Sequence, residues 1–229
     1  MKKRVIVLSL GGSLIIPDDV DFGYLTKFKK TLLSLKKKYK FVVVCGGGSI
    51  ARKYISALKK AGQGEYIQSL SGIGATRMNA RFMSYFFGED PKQGISHDMR
   101  EVKNQLRKDG VVFCGALRYA PHQTSDSTAV KLARYLKTDF INLTNVDGLY
   151  TDNPLKNKKA KFIPETTFKD LYKRASKRKY KPGQHFVIDQ TAAKIIYQNK
   201  IKTYIIGKNL ENLKKILNKK KFRGTIVKD

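Results

Sequence analysis

The chain has 229 residues, 41% of them hydrophobic, enough to bury one substantial core and too few for two large independent domains. Two cysteines, Cys45 and Cys114, each closing an apolar run, exclude a disulfide framework, and no apolar stretch approaches the roughly 18 residues of a membrane span, so a soluble protein of the reducing cytoplasm is expected. The net charge of +29, from 47 Lys and Arg against 18 Asp and Glu, invites a nucleic-acid reading, but the excess is mostly lysine spread over Lys36 to Lys38, Lys156 to Lys161, Lys173 to Lys181 and Lys214 to Arg223, which favours solvated helix faces.

In chain order, Val5 to Leu10 is an apolar run of strand length; with basic residues before it, it is still shorter than the apolar region of a secretory signal and reads as a first strand. A helix follows from about Tyr24, where Leu25, Phe28, Leu32 and Leu35 fall three and four apart. Phe41 to Val44 is a second buried strand. After Gly46 to Gly48, Ile50, Tyr54 and Leu58 recur every four residues, so a helix starts directly behind the glycines. Helices are expected from about Gly74 to Phe87 and near His97 to Lys108, then a strand from Val111 to Cys114. Thr124 or Ser125 caps a helix running to about Leu136, with Asp126 in its first turn at the positive end of the helix dipole.

The second half repeats the alternation. Phe140 to Val146, Thr203 to Ile206 and Thr225 to Val227 read as strands; Thr167 to Lys177, Gln190 to Gln198 and Leu210 to Leu217 read as helices. Thr151 to Glu165, rich in Lys, Asn and Pro, is expected to be irregular, either a loop beside a site or a plain surface loop. Continuous apolar strands between helices predict an α/β fold: one domain, a three-layer sandwich around a mainly parallel central sheet.

The triple glycine raises the question of a dinucleotide fingerprint. A dinucleotide fold places its glycines after the first strand and an acid at the end of the next. Here the glycines follow the second strand, and Glu65, at about the right distance, lies in GQGEYIQSL, which does not read as a strand end. No G-x-x-x-x-G-K-[ST] occurs, and the three histidines and lone acids offer no protein metal site. A second glycine turn, LSLGGSL, closes the first strand. Two adjacent parallel strands ending in glycine turns present backbone N–H groups to one crevice, which suits two phosphate-bearing ligands or one phosphate passed between them. Asp126 with Thr124 and Ser125, the TNVDGLYT turn, and Asp189 at a helix entrance followed by Lys194 add polar groups to the same reading.

GGSL after the first strand, GGG followed by ARKY after the second, a T-S-D segment opening a helix, TNVDGLYT, and VID followed by AAKII occur in this order. In these motifs the chain resembles the amino acid kinase superfamily, and most closely its archaeal-type uridylate kinases, over nearly its whole length. The resemblance implies transfer of a phosphoryl group from ATP to UMP, with Mg2+ and no covalent intermediate, in pyrimidine nucleotide synthesis. It implies that Gly12 and Ser13 contact ATP phosphates, that Gly48 and Arg52 face ATP, that Thr144, Asn145 and Tyr150 hold the ATP nucleoside, and that Asn153 lies on the ATP side. Gly47, Ser69, Tyr119, Ala120, Pro121, His122, Gln123, Thr124 and Ser125 would face UMP, with Asp126 as the carboxylate that organises the catalytic groups. Residues 1 to about 135 would carry the acceptor side and 136 to 229 the ATP side, in a homohexamer built as a trimer of dimers.

Each assignment has a plainer competitor: Asp126 as a helix-start charge, Arg52 as a solvated residue, Tyr150 as core. Lys194 stays outside the catalytic set. Three positions depart from the family pattern. Ser69 stands where relatives have an aspartate near the ribose, Asn153 replaces an acid in the T-D-N-P turn, and Ser9 occupies the first-strand position where bacterial relatives carry a lysine. Rival readings are a superfamily member with another acceptor (isopentenyl phosphate, carbamate or an amino acid) and a catalytically silent nucleotide- or RNA-binding relative.

Overall fold

A computed structural model describes residues 3–177 and 187–229. The first half runs β1 (Arg4–Leu10), α1 (Gly12–Ile15), α2 (Phe22–Leu35), β2 (Tyr39–Cys45), α3 (Gly48–Lys60), α4 (Glu65–Phe87), α5 (Met99–Lys108), β3 (Val111–Cys114) and α6 (Ser125–Leu136). The second half runs β4 (Phe140–Leu143), β5 (Leu149–Tyr150), β6 (Phe162–Ile163), β7 (Glu165–Thr166), α7 (Phe168–Ser176), α8 (Gln190–Asn199), β8 (Thr203–Ile206), α9 (Glu211–Leu217) and β9 (Thr225–Val227).

Seven strands form one sheet in the order β3-β2-β1-β4-β8-β9-β7, parallel throughout except for the β8–β9 pair. The continuous apolar runs of β1 and β2 follow from this position, because a central strand in such a sheet is covered on both faces. Alternate residues serve the two layers. Ile6, Leu8 and Leu10 join Phe28, Leu32, Phe41 and Met83 under α2, α4 and α9. Val7 joins Val42, Val44, Phe140, Val130 and Ile196 under α5 to α8. The expected α/β sandwich with a mainly parallel sheet is therefore what the chain forms.

Three local expectations are corrected, and one element is added. Helix α4 begins at Glu65, nine residues before the predicted Gly74. Gly72 and Gly74 break its apolar periodicity, and at Gly72 the missing side chain admits α3: a Cβ there would lie 3.2 Å from Ile55 Cδ1. Strand β4 ends at Leu143 instead of Val146; beyond it the backbone bends over the end of β8, where a Cβ on Gly207 would lie 3.2 Å from the Val146 oxygen. The stretch from Thr151 to Glu165 carries β6, which pairs antiparallel with β5, and it leads into β7 at the sheet edge. Two-residue strands are too short to show a period. The four-residue α1 was likewise not foreseen. Of the basic run Lys173 to Lys181, the part beyond 177 lies outside the described residues.

Candidate active site

The two glycine turns are packed back to back at the carboxyl edge of the sheet. A Cβ on Gly12 would lie 2.0 Å from Gly48 N, and one on Gly46 would lie 2.4 Å from Gly12 N. Only glycine permits that approach, and Gly48 also sits at φ +63°, where an L side chain is strained. Backbone bonds carry the ladder around the edge: Gly46 N–H donates to Leu10 O and Gly11 N–H to Leu143 O, each at 2.9 Å. Asn79 from α4 ties down the Gly46 carbonyl at 2.7 Å. Helix α3 opens at Gly48, so the positive end of its dipole borders the crevice, although the Ser49 N–H is already taken by Ile16 O at 3.0 Å.

Helix α6 enters the crevice from the opposite layer. Thr124 caps it, its Oγ1 accepting from Asp126 N at 3.2 Å and donating to Asp189 Oδ2 at 2.6 Å. Asp189 is itself the cap of α8, accepting from Ala192 N at 2.8 Å, and it also accepts from the amide and hydroxyl of Ser127. One buried carboxylate thus anchors the starts of two helices. Asp126, in the first turn of α6, accepts from the Ser9 hydroxyl of β1 at 2.6 Å. Burial and the neighbouring Asp189 carboxylate push Asp126 up to about 7, against a smaller opposing effect of the Ser9 bond. Raised carboxylates in clefts are a mark of functional sites.

Two cavities meet here. The first is lined by both glycine turns, by Arg52 of α3, by Ser69, Ile73 and Thr76 of α4, and by the segment after β3 with Asp126 and Asp189. It brings together Gly12, Ser13, Gly47, Gly48, Arg52, Ser69, Tyr119, Ala120, Gln123, Thr124, Ser125 and Asp126. Pro121 and His122 do not line it. His122 turns away at φ 55°, and its carbonyl accepts from Thr191 of α8. The second cavity is walled by Asn145, Tyr150 and Asn153 with Lys173 and Arg174 of α7, and Thr144 lines both. Tyr150 is half-buried against the edge of Phe162, so it is not a core residue. Arg52 is not purely solvated: its guanidinium donates to Pro17 O at 3.1 Å. Lys194 is exposed on α8 and lines neither cavity.

Several contributors were not singled out from the sequence. Arg77 of α4 donates to the Ala116 and Leu117 carbonyls, and Thr76 Oγ1 accepts from Ala116 N, so α4 holds the loop that leads to Arg118 and Tyr119. Tyr119 meets Tyr66 edge-on at 4.7 Å. Ser9 had a visible signal, a lone hydroxyl inside VIVLSL. The two thiols are buried, and burial pushes both above the ordinary thiol range, Cys114 up to about 12, which disfavours the reactive thiolate. Among the described residues no three His, Cys, Asp or Glu cluster as metal ligands, and no helix is long and apolar enough to cross a membrane. Backbone amides for anions, a perturbed carboxylate and two adjoining cavities equip this edge for passing a charged group between two ligands.

A fold of this order with paired glycine turns places the chain in a known class. Residues 4–207 match the model of the amino acid kinase family, and the chain belongs to that family. It is 35% identical to the uridylate kinase of Thermococcus kodakarensis over 224 residues, 97% of this chain and 98% of that protein. The crystal structure of uridylate kinase from Archaeoglobus fulgidus matches with a TM-score of 0.81 at 34% identity, covering 97% of this chain and 99% of the other. The UMP kinase of Ureaplasma parvum shares the fold at a TM-score of 0.78 and 23% identity over the full length of both chains.

Proposed function

We propose that the chain is a nucleoside monophosphate kinase that transfers the γ-phosphoryl group of ATP to UMP, giving ADP and UDP, in pyrimidine nucleotide synthesis in the cytoplasm. The observation that carries this reading is the junction of the two cavities at Thr144, with the interlocked glycine turns and Asp126 beside it. The ATP nucleoside lies in the second cavity against Thr144, Asn145, Tyr150 and Asn153, and its phosphates run toward Gly12, Ser13, Gly48 and Arg52. UMP occupies the first cavity, between Gly47 and Ser69 on one side and Tyr119 to Ser125 on the other. The acceptor side thus belongs mostly to residues 1–135 and the nucleoside side of ATP to residues 136–229.

A phosphate acceptor is already an ionised nucleophile, so the reaction asks for alignment and charge neutralisation more than for a strong base. The α3 amides and Arg52 supply donors for phosphate oxygens. Two hard carboxylates without a larger ligand cluster fit a Mg2+ that arrives on the nucleotide phosphates. Asp189 is saturated by protein donors, which leaves Asp126 as the side chain to meet the ion. Asp126 would hold such an ion, which would supply neutralisation of the charge that develops on the transferred group. Exposed Tyr54, Tyr66, Ile67, Leu70, Met78 and Tyr85 on α3 and α4 support assembly with further copies, for which we propose a hexamer.

The test is coupled ADP release with Mg-ATP against UMP, CMP, dUMP, isopentenyl phosphate, carbamate, aspartate, glutamate and acetylglutamate. Selective turnover of UMP is expected. Turnover of another acceptor overturns the substrate, and silence across the panel from a folded protein that binds ATP overturns the enzyme reading.

A further inference from the structure

Ser9 breaks the otherwise apolar run of β1 and is fully buried, 0% exposed. It shares a face with Val7, toward α6, and sits in register with Val44 on one side and Asn142 on the other. Packing gives no reason for a hydroxyl here, since alanine would fill the site without a polar group to satisfy. The hydroxyl does have a partner: it donates to Asp126 Oδ1 at 2.6 Å, across 117 residues of sequence. That length is typical of an O–H donating to an ionised carboxylate.

We propose that Ser9 is a positioning residue for phosphoryl transfer, holding one oxygen of Asp126 against the sheet so that the other is presented to the phosphates. The proposal rests on the kinase reading above. The charged groups around Asp126 show why such a donor is needed. Asp189 opposes ionisation from α8. Lys131, further along α6, is engaged with Gln123, Arg52 of α3 with the Pro17 carbonyl, and Arg118 with Asp98 at 3.9 Å. The Ser9 hydroxyl is then a bond that the protein itself supplies to the Asp126 carboxylate, and it fixes the rotamer.

The experiment compares Ser9→Ala and Ser9→Thr with the unaltered chain. The Asp126 carboxyl is titrated by 13C NMR, its signal assigned by loss in Asp126→Asn, and kcat and KM for UMP are followed from pH 5 to 9 with Mg-ATP. In Ser9→Ala the Asp126 midpoint and the acid limb of kcat should both move up by about one pH unit. At pH 7 kcat should fall about tenfold with KM for UMP within about twofold, the split expected when an interaction acts in the transition state. Ser9→Thr, which keeps the hydroxyl, should restore both. An unmoved Asp126 midpoint, or an unaltered kcat in Ser9→Ala, overturns the proposal. Should Ser9→Ala fail to fold, Ser9→Cys, similar in size with a weak donor, carries the same test. A chain inert toward UMP overturns the acceptor reading alone, because the titration still decides on Ser9.

Discussion

Replacing Asp126 by Asn removes a charge that the native state holds at a cost. The carboxylate sits at about 7 against an ordinary 3.8, chiefly through burial and the Asp189 charge. At ~1.4 kcal/mol for each tenfold change in proton affinity, ionising it in the folded protein costs on the order of 4 kcal/mol as an upper bound. The side chain borders an open cavity, and water there reduces the figure to roughly 1–2 kcal/mol. Between the two values the native state keeps a proton that the unfolded chain has released, so this group lowers stability as pH rises from about 4 to about 7. Asp126→Asn lacks that slope. Urea unfolding at pH 4, 6 and 8 should therefore show the variant drawing ahead with pH and ending roughly 1–2 kcal/mol more stable at pH 8. Coupled ADP release should meanwhile drop by on the order of a thousandfold. Comparing the pair at each pH cancels Asp98, Asp170 and Asp229, whose lowered values act in the opposite sense in acid. A stability difference independent of pH would refute the burial and repulsion account, and undiminished turnover would remove Asp126 from the mechanism.

Gly12→Ala forces a Cβ to within 2.0 Å of Gly48 N and should cost more than about 3 kcal/mol, whereas Gly64→Ala, with nothing within 4 Å, should stay within about 0.5 kcal/mol; equal effects in chemical denaturation would contradict the interlocked turns. Asp189→Ala removes the cap of α8 and the acceptor for Thr124 Oγ1 and the Ser127 N–H at the start of α6 and should lower stability by roughly 3 kcal/mol, measured by urea titration; a loss below about 1 kcal/mol would show that the two helix starts do not depend on it. Ser69→Asp restores a charge-assisted donor–acceptor pair at the acceptor cavity and should lower KM for UMP about fivefold. An unchanged KM would place Ser69 away from the ribose.

Local chemistry carried much of this architecture openly. The run of Val5 to Leu10 reports a buried strand, the recurrence of Ile50, Tyr54 and Leu58 every four residues reports the α3 helix, although the face it buries is Ser49, Ala51 and Ile55 while Tyr54 is exposed, and Thr124 and Thr167 announce helix starts, because a cap and a helical period are properties of neighbouring residues. The same locality hid the first turns of α4, where Gly72 and Gly74 interrupt the stripe, Gly72 at a close contact with α3, and it hid the two-residue pairing of β5 with β6.

For this protein the sequence alone determined the alternation of strands and helices, the glycine turns at two strand ends, the family motifs and part of the lining of the two cavities. Only the tertiary structure decided that Gly12 and Gly48 interlock, that Arg77 and Thr76 hold the loop before Tyr119, and that Ser9, Asp126 and Asp189 meet. Those three residues come from β1, α6 and the start of α8, and they adjoin because β1 and β4 are neighbours in the sheet while α6 and α8 cover the same face. Strand order is set by pairing between distant segments, and no pattern within any one segment encodes it.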